Sequence, residues 1–429
     1  MNNKLQSIRP LFLLIAVNLL GMFLIMLHEG VADQTMAMLS IGMCLLSIVA
    51  YILISLCHLG DGYLFIIISM LSSVGIIMQS RINPENGIRQ MKLYLLGVGF
   101  FFVTILLYRI FHKYFKKLTL LYFGLSMLLF AVTAVFGTVK NGSKNWIVLG
   151  GVSVQPSEFI RIMFVLSLAA ILTNARLPEK KKKGKKEKEK EDADKKNLKR
   201  MRLGLAAGIA YINAFCLLLQ REWGIALLFF AIYLAFLYIY GESRLFFLGN
   251  VMMTILAAFV GVNFMSHIQV RVATWLDPFA DITGKGYQIT QSLFAIGTGG
   301  FAGSGIGSGS PYFIPVVSSD FIFSAICEEM GVLGGTAVIM LYFLLVYRGF
   351  KIALSSTNDF NKAVSVGLSV MLGIQTFIIV GGVIKLIPLT GITLPFISYG
   401  GSSMITTFIA LGILQAISSM KGEVTDEIE

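Results

Sequence analysis

Twelve apolar stretches constrain this chain more than any other feature of its 429 residues. They lie near 10–27, 35–57, 62–79, 93–108, 118–139, 159–175, 203–220, 223–241, 245–266, 321–347, 363–385 and 396–419, and nine of them contain no Asp, Glu, Lys or Arg. Crossing a bilayer takes about 20 predominantly apolar residues. Lipid offers the backbone no hydrogen-bond partner, so each stretch is predicted to be a helix. The chain is 56% hydrophobic and 14% charged, with mean hydropathy +0.79. Soluble domains are about 25% charged, so a soluble multi-domain enzyme is excluded, and so is a disordered chain. The expected fold is all-α: a polytopic membrane protein of about twelve transmembrane helices. The first stretch follows Lys4 and Arg9 but lacks a small-residue cleavage site, so it reads as an uncleaved span rather than a secretory signal.

The net charge of +12 is local. Residues 176–202 hold 11 Lys and 3 Arg against 6 acids, a net +8. Such a run reads as a solvated loop and not as a nucleic-acid site. Its Lys/Glu repeats cannot bury enough apolar surface to fold alone. Basic clusters mark the cytoplasmic side, and three of them fall on one side: Arg109 to Lys117, the 176–202 linker, and Arg348, Lys351 and Lys362. An even span count then puts both termini in the cytoplasm, with a tail at 421–429. The loops 28–34, 80–92, 140–158, 267–320 and 386–395 fall outside, and the longest, 267–320, is the expected seat of the chemistry. Membrane lipids are the expected surroundings, with anionic headgroups in reach of the linker. Cys44, Cys57, Cys216 and Cys327 form no metal or disulfide pattern, and the four His give no zinc spacing.

Within 267–320, Asp277 and Asp281 stand four apart, followed by Gly284, Lys285 and Gly286. Asp277, just before Pro278, suits a capping role. Asp281 precedes a glycine turn and suits a general base. Residues 297–310 contain seven glycines but no following Gly-Lys-Ser/Thr, so they read as a tight loop and not a phosphate-binding loop. Asp192-Ala-Asp194 sits inside lysine repeats and is discounted as a metal-binding pair. Glu158 and Arg161, Arg221-Glu222, Glu328-Glu329 and Lys385 all lie in or beside spans, where ionisable groups face a cavity or a partner. Together they suggest a polar cavity open to the outside.

Four ordered blocks carry a resemblance: Trp146–Gly150 with Gln155-Pro-Ser-Glu158; Arg271–Gln291 with Ala295-Ile-Gly297; Asp320–Phe323 with Glu328-Glu329-Met-Gly331; and Pro388–Gly391 with Leu394–Ser403. Over roughly residues 62–418 the chain resembles the SEDS family (shape, elongation, division and sporulation; RodA/FtsW-like). The resemblance implies a ten-helix core at 62–420 preceded by an additional helical pair at 1–61. It implies a peptidoglycan glycosyltransferase of the bacterial cytoplasmic membrane that polymerises lipid II on the outer face, in division or cell-shape maintenance. A class B penicillin-binding protein would be its partner and polyprenyl diphosphate its product. The family's catalytic carboxylate falls on Asp281. The implied substrate-binding set is Arg89, Lys144, Glu158, Arg161, Glu222, Arg271, Lys285, Gln288, Gln291, Asp320, Glu328, Lys385 and Ser398.

The chain departs from the family's pattern at Asn145 (usually Arg), Arg161 (usually Lys), Leu93 (usually aromatic) and Gln220-Arg-Glu-Trp-Gly224 (usually Gln-Pro-Asp-Leu-Gly). Transfer from a lipid diphosphate needs a base for the acceptor hydroxyl and cations for the leaving group. Asp281 supplies the first, and Arg81, Arg89, Lys144, Arg161, Arg221, Arg271, Lys285 or Lys385 the second. No protein metal site is drawn, although a divalent cation at the diphosphate is compatible with the chemistry. Two rival readings are a lipid II flippase and a non-catalytic scaffold of the division or elongation machinery. Charges gathered toward the outer side, with bland cytoplasmic halves, favour the enzyme.

Overall fold

The computed structural model describes residues 8–29, 34–140, 142–150, 152–173, 185–241 and 243–420. Among them twelve helices are long and apolar enough to cross a membrane. They are α1 (Ile8–Glu29), α2 (Gln34–Leu56), α3 (Gly62–Ile82), α4 (Pro84–Phe115), α5 (Thr119–Phe136), α6 (Pro156–Thr173), α7 (Lys185–Leu219), α8 (Trp223–Tyr240), α9 (Arg244–Phe264), α12 (Ile322–Ser355), α13 (Asp359–Val383) and α14 (Gly401–Ser419). The shorter α10 (Ser266–Leu276) and α11 (Tyr287–Gly299) lie in the longest connection. The tail 421–429 and residues 176–184 of the basic linker fall outside the described residues.

The helices α3, α6, α13 and α14 are buried along most of their length, whereas α9 leaves Leu245, Phe259 and Phe264 exposed, as a lipid-facing helix does. Without a hydrophobic drive between helices in lipid, close packing depends on small residues. Gly97 of α4 shows this. A Cβ there would come within 2.4 Å of the Phe408 ring on α14.

Three features differ from the sequence expectation. The loop expected at 80–92 is a sharp corner. Asn83 accepts the Glu85 N–H at 2.8 Å and Pro84 opens the next helix, so Arg89 and Gln90 are helical. The basic linker is helical from Lys185 onward, continuous with the span that follows. The apolar helix supplies the nucleus that an isolated segment would lack. The loop at 140–158 contains a small antiparallel sheet in the order β1 (Thr138–Lys140), β2 (Ser143–Leu149), β3 (Val152–Val154), with Lys140 opposite Ser143 and Leu149 opposite Val152.

The glycine-rich stretch is a clamped loop. Arg81 at the end of α3 donates Nε to Glu329 Oε1 at 3.0 Å and Nη2 to the carbonyls of Gly307 and Gly309 at 2.6 and 3.1 Å. Glu329 Oε2 accepts the Gly307 N–H, and Glu328 Oε1 accepts the Ser310 N–H. Gly303 has φ +86°, and a Cβ there would sit 2.2 Å from the Glu329 carbonyl oxygen. Gly303→Ala is therefore expected to destabilise the protein by about 2 kcal/mol or more. Gly99→Ala, which meets nothing within 4 Å, should leave it as stable as the wild type. Thermal unfolding in detergent compares the two, and equal midpoints would refute the clamp.

Candidate active site

Alternation of the spans brings 137–140, 142–150, 152–155, 220–222, 265–321 and 384–400 to one end of the bundle. There they enclose a cavity of about 210 Å³. Its wall takes Asn145 and Trp146 from β2, Glu158 from α6, Arg221 and Glu222 from the α7–α8 turn, Trp223 from the start of α8, Arg271 from α10, and Asp320 from the approach to α12. A neighbouring cavity of about 250 Å³ is walled by Thr274, Lys285, Gln288 and Leu389, and shares Arg271, Asp320 and Gly391 with the first.

Glu222 reaches its position through backbone strain. Arg221 adopts φ 60°, the left-handed region, which reverses the chain between α7 and α8 and turns the next side chain inward. The Glu222 carboxylate is buried, and its Oε1 accepts Gln155 Nε2 at 2.8 Å. Burial pushes it up to about 7, against the opposing effect of the Gln155 hydrogen bond. Asp320 is raised in the same sense by burial, opposed by the Ser319 hydroxyl at 2.7 Å and by the Arg271 charge. Arg271 donates Nη1 to the carbonyls of Leu389 and Thr390 at 3.1 and 2.8 Å, tying α10 to the 384–400 loop. The cavity floor is an ion pair, Arg161 Nη2 to Glu158 Oε2 at 2.6 Å. Arg161 also reaches Gln375, Thr406 and Thr407.

Asp281 ends a short 3₁₀ turn, Pro278–Asp281. Asp277 caps that turn by accepting the Phe279 N–H at 3.1 Å. Asp281 Oδ2 accepts the Lys285 N–H at 2.9 Å, and its carbonyl accepts the N–H groups of Gly284 and Gly286. The two glycines are required by space. A Cβ on Gly284 would lie 2.4 Å from Asp281 Oδ2, and one on Gly286 would lie 2.0 Å from the Pro278 carbonyl. The carboxylate is exposed, one turn from Lys285 in the wall of the second cavity.

The structure thus brings Glu158, Arg221, Glu222, Arg271 and Asp320 together at the first cavity, and Lys285 and Gln288 with Arg271 and Asp320 at the second. Other candidates are used elsewhere. Lys144 Nζ donates to the Ala134 carbonyl at 2.6 Å, Glu328 holds the glycine loop, and Arg89 is an exposed partner of Glu85 at 3.6 Å. Ser398 donates to the Ser319 carbonyl and accepts the Leu394 N–H, joining two loops. The Lys385 carbonyl accepts Trp275 Nε1, and Gln291 lies on α11 away from both cavity walls. Asn145, Trp146, Gln155, Trp223 and Thr393 line the first cavity without having been sequence candidates. One usable signal was present: two of the chain's three tryptophans adjoin polar loop residues. Among the described residues no three His, Cys, Asp or Glu side chains converge as a metal site.

The shift at Glu222 has a consequence for stability. Between its ordinary value and about 7 the folded state keeps a proton that the unfolded state has released. Stability therefore falls as pH rises through that window and levels off above it. Glu222→Gln should flatten the slope, read from melting midpoints in detergent between pH 5 and 8. Parallel curves for the two proteins would remove the assignment.

The chain matches the model of a family of cell cycle proteins, FtsW/RodA/SpoVE, over residues 49–423. It is 35% identical over 380 residues to a peptidoglycan glycosyltransferase RodA of Mycobacterium tuberculosis, covering 83% of this chain and 78% of that relative. It is 32% identical over 377 residues to stage V sporulation protein E of Bacillus subtilis, covering 83% and 96%. A chain from a solved peptidoglycan synthase complex, described as coordinating polymerization and crosslinking, superposes with TM-score 0.68 at 25% identity, covering 85% of this chain and 99% of that one. The Thermus thermophilus RodA crystal structure shares the fold, with TM-score 0.58 at 22% identity over 85% and 98% of the two chains.

Proposed function

The chain belongs to the FtsW/RodA/SpoVE family of cell cycle proteins, and we propose that, as a peptidoglycan glycosyltransferase of that family, it polymerises lipid II with Asp281 as general base. Acceptor and donor meet beside the second cavity. Asp281 takes the proton of the acceptor hydroxyl as that oxygen bonds to the donor's anomeric carbon. The bond from that carbon to the diphosphate breaks, and polyprenyl diphosphate leaves with inversion. A diphosphate departs without a general acid, so one carboxylate suffices, while Arg271 and Lys285 oppose its charge. The observation that carries this reading is the Lys285 N–H bond to Asp281 Oδ2, which ties the carboxylate to a residue of the second cavity's wall, where Arg271 also lies. Among the described residues Oδ1 has no hydrogen-bond partner, so it stays available to the incoming proton.

The reading extends to surroundings and partner. The cavities open on the outer face of the cytoplasmic membrane, with both termini inside. A class B penicillin-binding protein crosslinks the strands as they emerge, a pairing supported by the likeness to a synthase complex that joins polymerization and crosslinking. Orientation is checked with single cysteines in a background lacking the four native ones. A cysteine at Ser308 should react with an impermeant reagent in intact cells, and one at Lys188 should not. The reverse pattern would invert the topology.

Base catalysis contributes about 10²–10⁴-fold. Asp281→Asn should therefore nearly abolish polymer formation from purified lipid II while the protein stays monodisperse and still binds substrate. Asp277→Asn should be mild, because a cap needs only an acceptor oxygen, which Asn retains. Near-normal polymer from Asp281→Asn would remove it as the base. A wild type that makes no polymer yet moves lipid II across liposomes would make the chain a flippase.

A further inference from the structure

The two cavities differ in chemistry. The second carries Lys285, Gln288 and Thr274 beside the shared Arg271. The first carries two indoles, Trp146 and Trp223, two amides, Asn145 and Gln155, the carboxylates of Glu158, Glu222 and Asp320, and Arg221 beside the shared Arg271. A diphosphate seated there would stand against three carboxyl groups, where the second cavity's wall has Asp320 alone, and the Arg271 guanidinium is already donating to two carbonyls. A polyprenyl chain would strip water from the same carboxyl groups and return nothing. An uncharged polyol bearing an amide suits the wall. The C–H faces of a pyranose lie against indole, and hydroxyl and amide groups exchange hydrogen bonds with Asn, Glu and Trp.

A second observation points the same way. Asn145 Oδ1, Glu222 Oε2 and Trp223 Nε1 are buried without a protein hydrogen-bond partner, and all three residues belong to this wall. Native proteins leave few such groups, and each calls for a cause. They include two acceptors and one donor, the mixture that hydroxyl and amide groups complement. Glu222, pushed up to about 7 by burial, offers a donor as well as an acceptor near neutral pH.

We infer that the Glu222 cavity seats an acetamido sugar of the glycan substrate, recognised by Trp146, Trp223, Asn145 and Glu222, while the diphosphate is held apart from it beside Lys285. The inference rests on the glycosyltransferase reading and assigns the two parts of one substrate class to the two cavities.

The test uses the full-length protein, purified lipid II, and polyprenyl diphosphate carrying no sugar. Trp223→Leu and Glu222→Gln should each raise KM for lipid II about tenfold and leave kcat within about twofold, the mark of uniform binding lost. Inhibition by the sugar-free diphosphate should be the same in wild type and both variants, because its groups bind elsewhere. An unchanged KM in both variants overturns the inference. So does weaker inhibition by the sugar-free lipid, which would put the diphosphate in this cavity. A fall in kcat at constant KM would make these residues part of the chemistry instead. Equilibrium binding of both lipids to Asp281→Asn separates the two failures. Loss of polymer in the wild type with tighter binding of the sugar-bearing lipid sinks the catalytic reading alone, whereas equal binding of the two lipids sinks the sugar pocket.

Discussion

A guanidinium buried among transmembrane helices has to be paired, and the pairing of Arg161 organises the centre of this protein. Its partners are Glu158 on the same helix, Gln375 on α13, and Thr406 and Thr407 on α14. Three of the most buried spans are thereby fixed in register directly beneath the first cavity. Leaving a buried charge without its partner costs about 3–5 kcal/mol, so the arrangement holds as a unit or not at all. Glu158 serves both structures at once, closing the ion pair below and lining the cavity above.

Above this floor, the loops are held by carbonyls meeting cations. Arg81 gathers Gly307 and Gly309, and Arg271 gathers Leu389 and Thr390. The same region tolerates positive φ at Arg221, Val316, Lys385 and Phe396. A β-branched residue such as Val316 does not adopt that conformation without support, and strain of this kind persists where the surroundings over-determine it. The loops hold an exposed carboxylate, Asp281, by the N–H of Lys285 and set a second carboxylate, Glu222, in a buried wall. The two acids stand in different environments. Asp281 is exposed to solvent, whereas burial biases Glu222 toward its neutral form. A glycosyltransferase acting on a lipid diphosphate needs both kinds of surroundings within one substrate's length.

The spans were legible in the sequence because lipid enforces a simple rule, a run of apolar residues long enough to cross with every backbone group bonded internally. Asp277 as a cap was legible too, from its place before Pro278. The α3–α4 corner was misjudged because Asn83 and Pro84 turn the chain in a single step, and charged residues in the first turns of α4 resemble a loop. The linker was misjudged because its composition gives no packed surface, while its attachment to an apolar helix lets the helix extend into it.

What the sequence determined by itself was the class of fold and most of the connections that carry the polar residues. What only the tertiary structure decided was how each charge is employed. Lys144 and Arg271 are both basic loop residues that meet carbonyls, yet Lys144 is consumed at the end of α5 and Arg271 lies between two cavities. Arg81 meets Gly307 across 226 positions of sequence, and Gln155 meets Glu222 across 67. Hydrogen bonds at such separations leave no periodicity to read along the chain. They exist only once the helices have packed and brought the loops to one end of the bundle.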